Sequence, residues 1–116
     1  TLVSNEAGIA MARGLSRILD EYLVVSAKCG DCDAFASLVR RWQNKLVAHA
    51  WRLTGDREAA LDAVQSAWSE IVRGLSSLND ERAFPAWAYR IVSRACARQV
   101  HNKVHQRKLA EALASQ

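Results

Sequence analysis

Large apolar residues recur along this chain in four stretches, spaced three to four positions apart and separated by short polar breaks. That spacing puts them on one face of a helix. Leu15, Ile18, Leu19, Tyr22 and Leu23 form the first stripe, which should end before Cys29-Gly30. Phe35, Leu38, Val39, Trp42, Leu46 and Leu53 form the second. Asp31 or Asp33 is placed to cap its start, and Gly55 to end it. Asp56 caps the third, whose stripe is Leu61, Val64, Trp68, Ile71, Val72 and Leu75. A polar loop follows over residues 76–84, with Pro85 at the first position of the next helix. The fourth helix should bury Trp87, Ile91, Val92 and Ala95, and meets no strong break before Leu113. There is no alternating strand pattern and no internal repeat. Short connections make neighbouring helices roughly antiparallel. The pattern predicts an all-α protein, a compact helical bundle of about four helices.

At 116 residues the chain has room for one domain, and 50% hydrophobic residues suffice for a modest core. The expected organisation is an N-terminal extension over 1–19, a helical domain over 20–108 and a tail over 109–116. The first fourteen residues are weakly periodic and interrupted by Gly14, so the extension is either helical or frayed. The longest strongly apolar run is Leu23–Val25, so neither a signal peptide nor a membrane span is expected. Three cysteines, an odd number, do not suggest a disulfide framework, and a reducing cytoplasm is the simplest compartment.

Charge changes the picture. All 12 carboxylates lie before Arg82 or after Ala110. Between those positions stand Arg82, Arg90, Arg94, Arg98, Lys103, Arg107 and Lys108, seven of the 16 Lys/Arg. That segment carries +7 and the rest, with 16 − 7 = 9 cations against 12 carboxylates, carries −3. Such asymmetry marks a polyanion partner. Arg90, Arg94 and Arg98, spaced by four, form one row on a helix. Trp87 and Tyr89 stand at its start, and aromatics beside a positive row suit unstacked bases. Trp42, Trp68 and Trp87 are expected to pack in the core, while Trp51 lies off the stripe of its helix.

Other candidate chemistry is thin. Cys29 and Cys32 form a C-x-x-C, and His101 and His105 an H-x-x-x-H, which together imitate zinc ligands. The cysteines open the second helix, however, and the histidines lie well along the fourth, which runs the same way. At about 1.5 Å per residue the two pairs stand more than about 20 Å apart. No metal or other cofactor is expected. The cysteine pair alone retains a redox reading, since thiols near a helix N-terminus can be activated. Cys96 reads as a small core residue. No nucleophile, base and orienter occur at motif spacing, and no glycine-rich phosphate loop is present, so the chain does not read as an enzyme.

Three segments, in order, carry a resemblance: GDCDAFASLVRRWQNKLVAHAWRLTGD, EAALDAVQSAWSEIV and AFPAWAYRIV. From about Asp20 to Arg107 the chain resembles region 2 of the extracytoplasmic-function sigma factors, the promoter-recognition subunits of bacterial RNA polymerase. The resemblance implies partners and roles. The family's second helix of this set docks on a coiled coil of the polymerase β′ subunit, which points to Asp62 and Gln65. Its following loop captures a base flipped from the melted −10 element, which points to Asn79, Asp80, Glu81, Arg82 and Phe84. Its basic helix follows the single strand's phosphates, which suits Arg90, Arg94 and Arg98, with Tyr89 at its start as a further DNA contact. An anti-sigma factor is a further implied partner.

The chain departs from the family in three respects. Ser66 stands where the family usually has Glu, and Arg94 where it usually has Asn. The family's second half, a helix-turn-helix that reads the −35 element, is not contained in these residues. A second reading therefore stands beside the first: a sigma-like decoy or adaptor that binds an anti-sigma factor or other regulator without touching DNA.

Overall fold

The computed structural model describes residues 2–116, with side chains from Asn5 onward. Four helices follow one another: α1 (Leu2–Lys28), α2 (Cys32–Thr54), α3 (Arg57–Gly74) and α4 (Phe84–Ala114). Two single 3₁₀ turns, Leu75–Ser77 and Glu81–Ala83, connect α3 to α4. Among the described residues there is no strand. The expected all-α bundle is therefore the fold. The backbone is helical on both sides of the boundaries expected at 19/20 and at 108/109.

The connections follow from a few residues. Asp31, and not Asp33, caps α2: its Oδ1 accepts the N–H groups of Asp33 at 3.0 Å and Ala34 at 3.1 Å. Asp56 caps α3 through the N–H groups of Glu58 and Ala59. Each such cap stabilises its helix by about 1 kcal/mol. Gly55, at φ +65°, closes α2 by donating its N–H to the Trp51 carbonyl at 2.8 Å. A side chain there would be strained, which is why glycine ends the helix.

The core lies where α3 packs on both α2 and α4. Leu38, Leu46, Val64, Ile71, Phe84 and Val92 are its largest fully enclosed members, with Val24 from α1. Trp42 is buried at its centre, edge-on to Phe84 at 5.7 Å and to Tyr89 at 6.0 Å. Trp68 is half-buried, edge-on to Phe35, and donates its Nε1–H to Gln43 at 2.7 Å. Trp87 is half-buried over Gly74, where an added Cβ would meet its ring at 3.1 Å. Trp51 is exposed.

Two expected stripes are displaced. On α3 the inward face is Ala59, Ala60, Ala63, Val64, Ala67 and Ile71, while Leu61 and Val72 point outward. Alanines let the helices approach closely, so methyl groups do the packing that the pattern assigned to larger residues. On α1 only Leu23 and Val24 are buried, and Leu15, Ile18, Leu19 and Tyr22 are exposed. Ahead of Leu23 the contact between α1 and α2 is polar: Arg41 donates to Asp20 at 2.7 Å and to the Ser16 hydroxyl at 2.7 Å. The apolar stripe lies away from that contact.

No helix of the described residues is long and apolar enough to cross a membrane.

Candidate nucleic-acid and polymerase interface

The start of α4 and the turn before it gather most of the residues singled out above. Pro85 sits in the first turn of α4, where its fixed φ suits the helix and its missing N–H leaves no bond unmade. From there the helix presents Arg90, Arg94 and Arg98 on an exposed face. Arg90 and Arg94 form no ion pair or hydrogen bond among the described residues. Arg98 does: its Nη2 lies 2.6 Å from Glu70 Oε1 on α3. Lys103 is likewise paired with Asp56, and Arg82 with Asp80 at 3.1 Å. Three of the seven cations on the acid-free segment are thus neutralised, leaving Arg90, Arg94, Arg107 and Lys108 unpaired among the described residues. The segment contains no acid of its own, but its helix neighbour and its cap supply them.

The loop is ordered by its own side chains. Asp80 caps the Glu81–Ala83 turn by accepting the Arg82 N–H at 3.0 Å. The Arg82 guanidinium folds back on the same carboxylate through Nε at 3.2 Å and Nη2 at 3.1 Å. Hydrogen bonding from the Arg82 side chain, then from its backbone N–H, holds the Asp80 carboxyl below its ordinary value of 3.8, and the same contact raises Arg82. Asn79 is exposed and its side chain has no hydrogen bond among the described residues.

Phe84 requires a correction. It was expected in the loop as a base contact, yet it is 1% exposed and packed between Trp42 and Trp87. It is the first residue of α4, and its burial anchors the helix start; it has no free face for a base. Tyr89 is half-buried, edge-on to Trp42 and 4.9 Å from the His49 ring. His49 contacts Ser93 Oγ at 2.9 Å, and burial, with Arg52 adding to it, lowers its pKa.

Asp62 and Gln65 stand on the outer face of α3, both exposed. With Ser66, Ser69 and Gln99 they line a shallow polar groove of about 300 Å³ between α3 and α4. The site therefore has two parts: a polar groove on α3, and an arginine face with a self-bonded turn at the head of α4. The cysteines of the C-x-x-C are exposed and free, whereas Cys96 is buried, which raises its pKa. No group of three or more His, Cys, Asp or Glu able to hold a metal occurs among the described residues.

One participant escaped the sequence. Lys28, the last residue of α1, donates from Nζ to the Leu78 carbonyl and lies 3.7 Å from Glu81 Oε1. The two bonded residues are fifty positions apart in sequence. No local pattern carries that signal.

A four-helix domain whose last helix carries a basic stretch, acid-free up to Ala110, behind a short polar loop is of the class of helical promoter-recognition modules. The chain belongs to the sigma-70 region 2 family, which it matches over residues 38–105, and its similar curated proteins are mostly extracytoplasmic-function sigma factors. It is 34% identical over 77 residues to the RNA polymerase sigma-H factor of Pseudomonas aeruginosa, covering 66% of this chain and 40% of that protein. It is 35% identical over 75 residues to the sigma-E factor of Escherichia coli, covering 65% and 39%. The chain thus spans about two fifths of the length of these relatives. Among solved structures it resembles an engineered region 2 of sigmaE determined by NMR in complex with GTAAAA. The TM-score is 0.69 at 30% identity, covering 75% of this chain and 90% of that one. Sigma factors are initiation factors and not enzymes.

Proposed function

We propose that this domain docks on core RNA polymerase through α3 and holds the melted −10 strand of a promoter through the loop and α4. Asp62 and Gln65, with the polar groove beside them, contact the β′ coiled coil. Asn79, Asp80 and Arg82 surround a flipped base, which must be unstacked at a cost of a few kcal/mol before it can be read. Arg90 and Arg94 follow the phosphates, with Tyr89 packed behind them rather than stacked on a base. Arg98 takes part only when it leaves Glu70. The protein works in the cytoplasm, where polymerase is, and an anti-sigma factor restrains it.

One observation carries this reading: two arginines, unpaired among the described residues, follow an exposed turn on α4, in a chain similar to an engineered region 2 of sigmaE solved in complex with GTAAAA. The test is fluorescence anisotropy with a labelled GTAAAA strand and a scrambled strand, at several salt concentrations, with and without core polymerase. The reading expects preference for the first strand and a salt-dependent affinity. The exposed stripe of Leu15, Ile18 and Tyr22 on α1 favours a protein partner, and with it the second reading, a regulator-binding adaptor. Absence of any single-strand binding, with core present, decides for the adaptor.

A further inference from the structure

Lys28 touches neither groove nor arginine face, yet it grips the loop at both ends. Its ammonium donates to the Leu78 carbonyl and lies 3.7 Å from the Glu81 carboxylate. Between those two residues stand only Asn79 and Asp80. Leu78 itself is buried, and its N–H is used by the Leu75 carbonyl at 3.1 Å. Its carbonyl is the free half of the next peptide. Because a peptide is planar, the direction of the Leu78 C=O fixes the direction of the Asn79 N–H. Lys28 therefore sets the plane from which Asn79 projects.

The ion pair acts at the other end. Glu81 opens the 3₁₀ turn that Asp80 caps. Drawing Glu81 toward α1 fixes the turn relative to the helix, and Asp80 and Arg82 are already locked to each other. Asn79 is then the one side chain from 79 to 82 without an internal bond among the described residues, exposed and aimed by its peptide. The ammonium is only partly exposed, which strengthens its bonds over those of a surface lysine.

We infer that Lys28 is a positioning residue for base selection: it presents Asn79, and through it sets which base the loop accepts, without contacting DNA. This rests on the promoter-strand reading above. A group that acts this way affects the discrimination between bases and not the phosphate term.

The experiment compares the parent, Lys28→Met, Lys28→Arg and Glu81→Gln. Each is measured for affinity to GTAAAA and to strands with single-base changes, across a salt series, alongside thermal melting. Lys28→Met is expected to lower the preference for the best base by about fivefold to tenfold, with an unchanged salt slope. Glu81→Gln, which keeps the Leu78 bond, should lose less, and Lys28→Arg should retain most of the preference. A parent that shows no base preference overturns the promoter-strand reading itself. A parent that discriminates, beside a folded Lys28→Met that discriminates equally well, overturns the role of Lys28 alone. A flattened salt slope in Lys28→Met would make the lysine a phosphate contact and also overturn it.

Discussion

The Arg98 guanidinium lies 2.6 Å from the Glu70 carboxylate, so one member of the basic row on α4 is neutralised by the neighbouring helix. The pair is accessible to solvent, and such pairs add little to stability. Its effect is on charge available to a ligand. Glu70→Gln should free Arg98, tighten binding of a −10-type strand at low salt and steepen the salt slope by up to about 0.7. An unchanged slope in Glu70→Gln would leave Arg98 outside the strand's path.

Arg90 and Arg94 have no such competitor among the described residues. Replacing both by alanine should flatten the salt slope by about 1.4, one increment for each phosphate contact. Both side chains are exposed, so melting should stay near the parent's. Anisotropy against salt, read beside a thermal melt, measures the two separately.

On α3, Asp62→Ala with Gln65→Ala should weaken binding to core polymerase and leave stability within about 0.5 kcal/mol. Binding of an isolated single strand should not change, because the two residues line the groove shared with Gln99 and not the turn before α4. Full-strength polymerase binding in the double variant would remove α3 from the docking surface.

Phe84→Ala tests the corrected role of that residue. A buried phenylalanine between Trp42 and Trp87 should cost about 3–5 kcal/mol when truncated. That is a large share of what holds a domain of this size together. The melting temperature should drop sharply, and strand affinity should fall only with the folded fraction. A variant that melts like its parent yet fails to bind DNA would return Phe84 to the interface.

His49 gives a pH dependence. Its folded pKa lies below the ordinary 6.5, first because burial disfavours the charged ring and then because Arg52 is near. The unfolded chain therefore takes up the proton more readily than the folded one. The contribution to stability is fully present above about pH 6.5 and is lost as pH falls through the lowered folded value. Melting temperatures of the parent should decline between about pH 7.5 and 5 more steeply than those of His49→Gln.

Periodicity revealed α2 and α4 well, since large residues such as Leu38, Trp42, Ile91 and Val92 do face the core. Asp31 and Gly55 marked the limits of α2, and Pro85 the start of α4. Periodicity misread α1 and part of α3, for one reason in two forms. A pattern of large apolar residues shows that a stripe exists, not that a neighbour covers it. Leu15, Ile18 and Tyr22 have the spacing without the neighbour, and Ala60, Ala63 and Ala67 have the neighbour without the size. The candidate interface was legible as a basic segment behind a polar loop. Its pairings were not, because Lys28 with Leu78 and Arg98 with Glu70 join positions 50 and 28 residues apart in the chain.

The alanine face of α3 makes the fold's tolerance one-sided. Ala60, Ala63 and Ala67 are fully enclosed, so no added methylene has anywhere to go, and enlargement would force α3 off its neighbours. Shrinkage is limited as well, because glycine costs about 1 kcal/mol in a helix interior. Serine is nearly the right size but leaves a hydroxyl needing a partner. Substitution in this strip is thus confined by volume rather than by polarity: packing leaves the outer face of α3 open to many colours, for a partner to choose among, while it holds the inner face nearly monochrome.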